Sequence, residues 1–141
     1  MSLLTTAGRA LLAGTWTSTT VKAMLLRPSY VPVSTDGSVS ALTTYEITGT
    51  GYSGGYGGTG RKSLTSNTVT AATASDQARL DAADLTWTAL DAGQVGWVAL
   101  VVESGGSDAT STVLAVISLP VTLTDGSDFP VLWPENGILF L

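Results

Sequence analysis

The chain has 141 residues, a net charge of −5, and neither cysteine nor histidine. Without those two residue types it has no disulfides, thiol catalysis, Cys-rich zinc sites, Ser-His-Asp triad or ordinary zinc hydrolase centre; only carboxylates and lysines remain as acid–base groups. The six basic residues, Arg9, Lys22, Arg27, Arg61, Lys62 and Arg79, make no phosphate-neutralising footprint, so neither an enzyme nor a nucleic-acid partner is expected.

Charged residues are 12% of the chain, about half the usual share. Thr, Ser and Gly take the polar positions instead. Such a surface is cheap to desolvate and suits broad contact with other proteins. The length fits one domain, residues 1–141, burying roughly two thirds of the unfolded surface. Residues 1–14 lack a basic leader followed by a long apolar block. No apolar run approaches the roughly 20 residues of a membrane span, so no membrane partner is expected.

Leu3, Leu4, Ala7, Ala10, Leu11 and Leu12 recur at helical spacing up to Gly14, a helix stop. The pattern predicts a short N-terminal helix or arm within residues 1–14. It covers one end of the domain or docks on a neighbouring subunit through Leu4 and Leu11. Thr15–Leu26 reads as a strand ending at Arg27-Pro28. Pro32 makes Tyr30–Val33 an edge or an extended connector. Asp36-Gly37 is a turn, Ser38–Thr44 a helical turn, and Tyr45–Thr48 a return to strand.

Residues 49–60 form a Gly-rich loop interrupted by Tyr52 and Tyr56. Glycine has much backbone entropy to lose, so this loop is ordered only if something holds it. The expected holder is a neighbour in an assembly, with packing inside the chain as the alternative. Gly49-Thr-Gly51-Tyr-Ser-Gly54 matches the dinucleotide fingerprint by letter, but no strand–helix alternation surrounds it. Gly55–Ser63 approaches a phosphate-binding loop with one residue too many before Lys62 and a poor helix start after it. The plainer reading is a surface loop followed by two solvated cations, Arg61 and Lys62. No cofactor is expected.

Arg61–Ala72 reads as a strand and Asp76–Asp84 as a connection with a helical turn. Asp76, Asp81, Asp84 and Asp91 are read as turn and capping residues, because no calcium-type series of ligands appears and no metal is expected. Leu85–Ala89 alternates apolar residues with Thr. Val95–Val102 and Val113–Leu119 are continuous apolar runs rich in Val and Ile, which predicts strands covered on both faces. These three are the expected core, with Trp87 and Trp97 inside it. Asp125-Gly126 is a hairpin turn, Phe129–Trp133 an edge segment between Pro130 and Pro134, Asn136-Gly137 a second turn, and Ile138–Leu141 a closing strand. About eight short strands with turns between them predict an all-β antiparallel sandwich or barrel. Tyr52, Tyr56 and Trp133 are the aromatic residues expected at exposed contacts, with a protein partner or with glycan.

The order of these segments resembles that of small tailed-bacteriophage virion proteins of the capsid decoration (cement) type. The resemblance runs through the Leu-rich N-terminus, Val21–Leu26, Tyr45–Tyr52, Leu80–Trp87, Val113–Ile117 and Trp133–Leu139; the Gly54–Gly60 insertion departs from it. It implies a structural role on the outer capsid surface and carries no catalytic residues. The implied partners are the major capsid protein and further copies of the chain, as a trimer or dimer. The interface residues set against that role are Leu4, Leu11, Tyr52, Tyr56 and Trp133. The alternatives are a tail, neck or fibre-associated virion module, and a carbohydrate-binding β-sandwich for adhesion to host glycan.

Overall fold

The computed structural model describes residues 14–33, 35–72, 77–135 and 137–140, so the helix expected within residues 3–13 lies outside them. Nine strands occur among the described residues: β1 (Lys22–Leu26), β2 (Lys62–Ser63), β3 (Thr68–Ala72), β4 (Gln77–Asp81), β5 (Leu85–Trp87), β6 (Gln94–Ser104), β7 (Ser107–Leu123), β8 (Phe129–Val131) and β9 (Leu139–Phe140). The fold is all-β. The chain forms two compact units, each discontinuous in sequence. One draws on Met1–Thr20, Leu64–Leu85 and Val131–Leu141; the other on Val21–Ser63 and Thr86–Pro130.

The second unit is built on a four-stranded antiparallel sheet in the order β2-β1-β6-β7. β6 is central, and its apolar run has no polar alternation because both of its faces are covered. On one face Met24, Leu26, Ala99 and Val101 pack with Tyr30, Val39 and Leu42. On the other, Ala23, Leu25, Val98 and Leu100 are equally inaccessible. Tyr30 stands edge-on to Tyr45 and Trp97, with ring centroids 5.3 and 6.0 Å away. Gly105 and Gly106, both at positive φ, turn β6 into β7.

β7 departs from expectation. Its run Val113–Leu119 is largely half-buried, not covered on both faces. The reason is position: β7 is the outermost strand of the sheet, and beyond β6 its edge meets only a single bridge, Thr112 to Ser38, among the described residues. The ladder also slips at Val95/Trp97 and Leu100/Val101, which bulges β7 against its partner.

Five other expectations change. The stretch read as a strand from Thr15 is a helical turn over residues 14–18, and Gly14, read as a helix stop, is itself helical. There Thr17 Oγ1 and Ser18 Oγ donate to the Gly14 carbonyl, and Thr19 N–H to that of Thr15. In a helical turn a Thr or Ser hydroxyl can reach the carbonyl three or four residues back, which satisfies it locally. Tyr45–Thr48 makes a single bridge, Leu26 to Glu46, after a 3-10 turn at Thr43–Tyr45. The strand expected over Arg61–Ala72 breaks into β2 and β3, with Ser66 at φ 55° between them. Residues read as the Asp76–Asp84 connection contain β4. The turn at Asp125-Gly126 closes no hairpin, since β8 pairs with β5.

The first unit holds the antiparallel sheet β3-β4-β9. Its helical turn is tied to the β3–β4 hairpin. Trp16, 1% exposed, donates its indole N–H to the Asp81 carbonyl at 3.0 Å, and Asn67 Nδ2 donates to the Trp16 carbonyl at 3.0 Å.

Candidate functional site

The densest chemistry lies beneath the Gly-rich loop of the second unit. Arg61 follows Gly60 directly, and its side chain is wholly buried. Nε and Nη2 donate to the two oxygens of Glu46 at 2.8 and 2.9 Å, a bidentate fork. Nη1 donates to Asp108 Oδ1 at 2.7 Å and Glu103 Oε2 at 3.1 Å, and Nη2 to Asp108 Oδ2 at 3.2 Å. A guanidinium has five N–H donors, and all five have acceptors. Lys22 from β1 pairs with the other oxygen of Glu103. Two cations thus face three carboxylates, a local balance of −1.

The carboxylates also hold the loop. Gly55 N–H donates to Glu46 Oε1 at 3.0 Å, and Gly57 N–H to Glu103 Oε2 at 2.9 Å. The Tyr52 hydroxyl donates to Glu46 Oε2 at 2.8 Å and accepts from Leu25 N–H at 3.1 Å. Tyr56 accepts from Gly106 N–H at 3.2 Å, tying the loop to the β6–β7 turn. Gly60 is required by closeness: a Cβ there would stand 2.5 Å from the Tyr52 ring. The loop is therefore ordered from within the chain, and no neighbour is needed to hold it.

The protonation states follow from these contacts. Burial, and then the Glu46 charge, push the Tyr52 phenol far above its ordinary value. Burial alone would lower Arg61, but hydrogen bonds to Glu46 and Asp108 outweigh it and raise the guanidinium further. Burial would raise Glu103, yet the hydrogen bonds from Lys22 and Gly57 and the two cationic charges hold it below the usual carboxylate range. Every charged group of the network is committed to a partner. Its chemistry is mechanical, fixing the shape of a segment that composition alone would leave mobile. Among the described residues no group of His, Cys, Asp or Glu is disposed to hold a metal ion.

The residues expected at exposed contacts fall in different places. Leu4 and Leu11 lie outside the described residues. Tyr52 is 1% exposed, a correction to its expected exposure, because its hydroxyl is the link between the loop and β1. Trp133 is also buried: its indole N–H donates to the Ala83 carbonyl at 3.1 Å and its backbone N–H to Asp84 Oδ1 at 2.8 Å. Asp84 thus holds a backbone N–H that lies 49 positions away in the sequence. Tyr56, at 41%, is an exposed aromatic at the loop. Arg61 is the opposite of the solvated cation expected, whereas Lys62 sits partly exposed with Nζ 6.0 Å from the Trp87 ring centroid.

Glu46, Glu103 and Asp108 were not singled out from the sequence. They lie up to 62 positions apart, from Glu46 to Asp108, and only the sheet brings them together. The signal available was a lone arginine directly after a glycine tract in a chain poor in charge.

The chain matches no protein-family model, no curated protein and no solved structure.

Proposed function

We propose that this chain is a bacteriophage capsid decoration protein that binds the outer face of the shell as a homo-oligomer and stabilises it mechanically. The segment-by-segment resemblance supports that address, and the character of β7 supports adhesion. Between Asp108 and Asp125 the chain carries no charged residue. This stretch makes up most of the outermost strand of its sheet, and Val121 and Leu123 are 61% and 65% exposed there. Val31 and Val33 add exposed apolar surface in the same unit. In a chain of net charge −5, a long neutral apolar margin is surface that desolvates at little cost.

The bulged ladder and Pro120 guard the strand edge against addition of another strand. Contact is therefore made by side chains. Interfaces of ordinary size bury about 800 Å² per partner, and symmetric copies on a lattice multiply a modest affinity through avidity. A chain that bridges neighbouring capsid subunits means that rupture of the shell must first break those contacts.

The test compares purified particles with and without the protein under heat and chelator. Particles lacking it should rupture earlier, and its copy number should match the capsid lattice. Equal tolerance of the two particle types overturns the mechanism, and a copy number of only a few per particle moves the protein to the tail.

A further inference from the structure

The first unit carries a polar cleft that the loop-holding network does not explain. In the β3–β4 hairpin Thr68 stands opposite Asp81, and Thr70 opposite Arg79. Strand alternation places these four residues on one face and leaves Leu80, 1% exposed, on the other. Glu135 and Gly137 complete the lining of a cleft of about 200 Å³. The segment carrying them is pinned by Gly137 N–H to the Pro134 carbonyl at 3.0 Å and Ile138 N–H to the Leu80 carbonyl at 2.7 Å. Gly137 adopts φ 114°, a backbone that side chains rarely accept, and a Cβ there would meet the Leu80 carbonyl at 3.3 Å.

Arg79 lines this cleft, and its Nε is buried without a hydrogen-bond partner. A buried N–H lacking an acceptor is a rare exception in a folded chain and calls for one. The lining combines donors from Arg79 with acceptors from Asp81 and Glu135, and the hydroxyls of Thr68 and Thr70 serve as either. An anion would face two carboxylates, a metal ion would face the guanidinium, and an apolar group would leave all of them unpaired. Thr68, Thr70 and Glu135 are exposed at the rim, so the charges of a small zwitterion would be screened by solvent and salt there.

We infer that this cleft binds the hydroxyl edge of a saccharide. A carboxylate accepts from two neighbouring hydroxyls while the guanidinium donates to a third oxygen, which uses both signs of charge without adding any. Whole-ligand pockets run to about 300–1,000 Å³, so this smaller cleft takes a single ring at the end of a longer glycan. The inference is independent of the virion reading. It also differs from an aromatic sugar platform, since Trp133 is buried.

The experiment is an NMR titration of the full ¹⁵N-labelled chain with glucose, galactose, mannose and N-acetylglucosamine, each taken into the millimolar range. At least one sugar should shift the amides of residues 68–70, 79–81, 135, 137 and 138 saturably. Arg79→Met should abolish that response while leaving the rest of the spectrum in place. Thr70→Ala, at an exposed position, should weaken it several-fold and serves if Arg79→Met does not fold. Absence of a saturable response to every sugar overturns the inference. So does saturation by inorganic phosphate or by glycine in place of the sugars.

Discussion

Glu46 and Arg61 meet in a two-toothed fork with neither side chain open to solvent, one tooth at 2.8 Å and the other at 2.9 Å. Taking two charges out of water is costly, and removing one of them afterwards is worse, because its partner stays buried alone. Arg61→Met takes the guanidinium away from three carboxylates at once, of which Glu103 keeps Lys22. The expected loss is about 3–5 kcal/mol, a fall of roughly 10–20 °C in Tm. Thermal unfolding followed by circular dichroism measures it; a loss below about 1 kcal/mol would show that the network is decorative.

The network also sets the pH profile of stability. Glu103 is held below the usual carboxylate range in the fold, so it contributes stability that is present above the unfolded value, about 4.3, and is lost as pH falls through the lower folded one. Tyr52 is raised and Tyr30 is pushed up to about 12, by burial and then by its hydrogen bond to Asp36. Their contribution is complete below the unfolded value, about 10, and declines as pH rises through the folded values. Urea unfolding from pH 2 to 12 should give a plateau that falls at both ends. Glu103→Gln should flatten the acid limb, and Tyr52→Phe the alkaline one.

Gly60 and Gly37 make a matched pair. A methyl at residue 60 would drive into the Tyr52 ring at 2.5 Å, whereas residue 37 has open space around it and no positive φ. Gly60→Ala should cost about 1–3 kcal/mol through overpacking. Gly37→Ala should be neutral or stabilise by up to about 1 kcal/mol, by restricting the unfolded chain. Chemical denaturation of the two variants side by side checks both signs.

Leu123→Lys places a charge on the neutral margin of β7. Because residue 123 is 65% exposed, Tm should move by the small amount typical of surface changes, within about 0.5 kcal/mol. Retention on capsid particles, measured by co-sedimentation, should drop several-fold. Undiminished retention would remove β7 from the adhesive surface.

The fold class was legible because the apolar run of β6 is short, rich in Val and bracketed by glycines, which favours a strand buried on both faces over a buried helix. The helical turn expected over Ser38–Thr44 was legible in part: it forms as two 3-10 turns, Val39–Ala41 and Thr43–Tyr45, the second running past the expected end. What failed was whatever depends on partners distant in sequence. Whether Val113–Leu119 lies inside or at the margin is decided by strand order, which periodicity does not encode. Tyr52 and Tyr56 are four residues apart in the same kind of tract, yet one is 1% and the other 41% exposed. The difference is made by Glu46 and Leu25, which no local pattern around either tyrosine reveals. Trp133 likewise looked like an exposed end residue until Asp84 and Ala83 supplied its partners.

The interleaving of the two units has a consequence for how the polypeptide matures on the ribosome. β1 waits for β6, whose pairing partners begin at Trp97, and β4 waits for β9 at Leu139–Phe140. In each unit a strand must hold for a partner far along the chain. Pairings this distant are slow to form, and until β6 is made Val21–Leu26 is an apolar segment without its main partner.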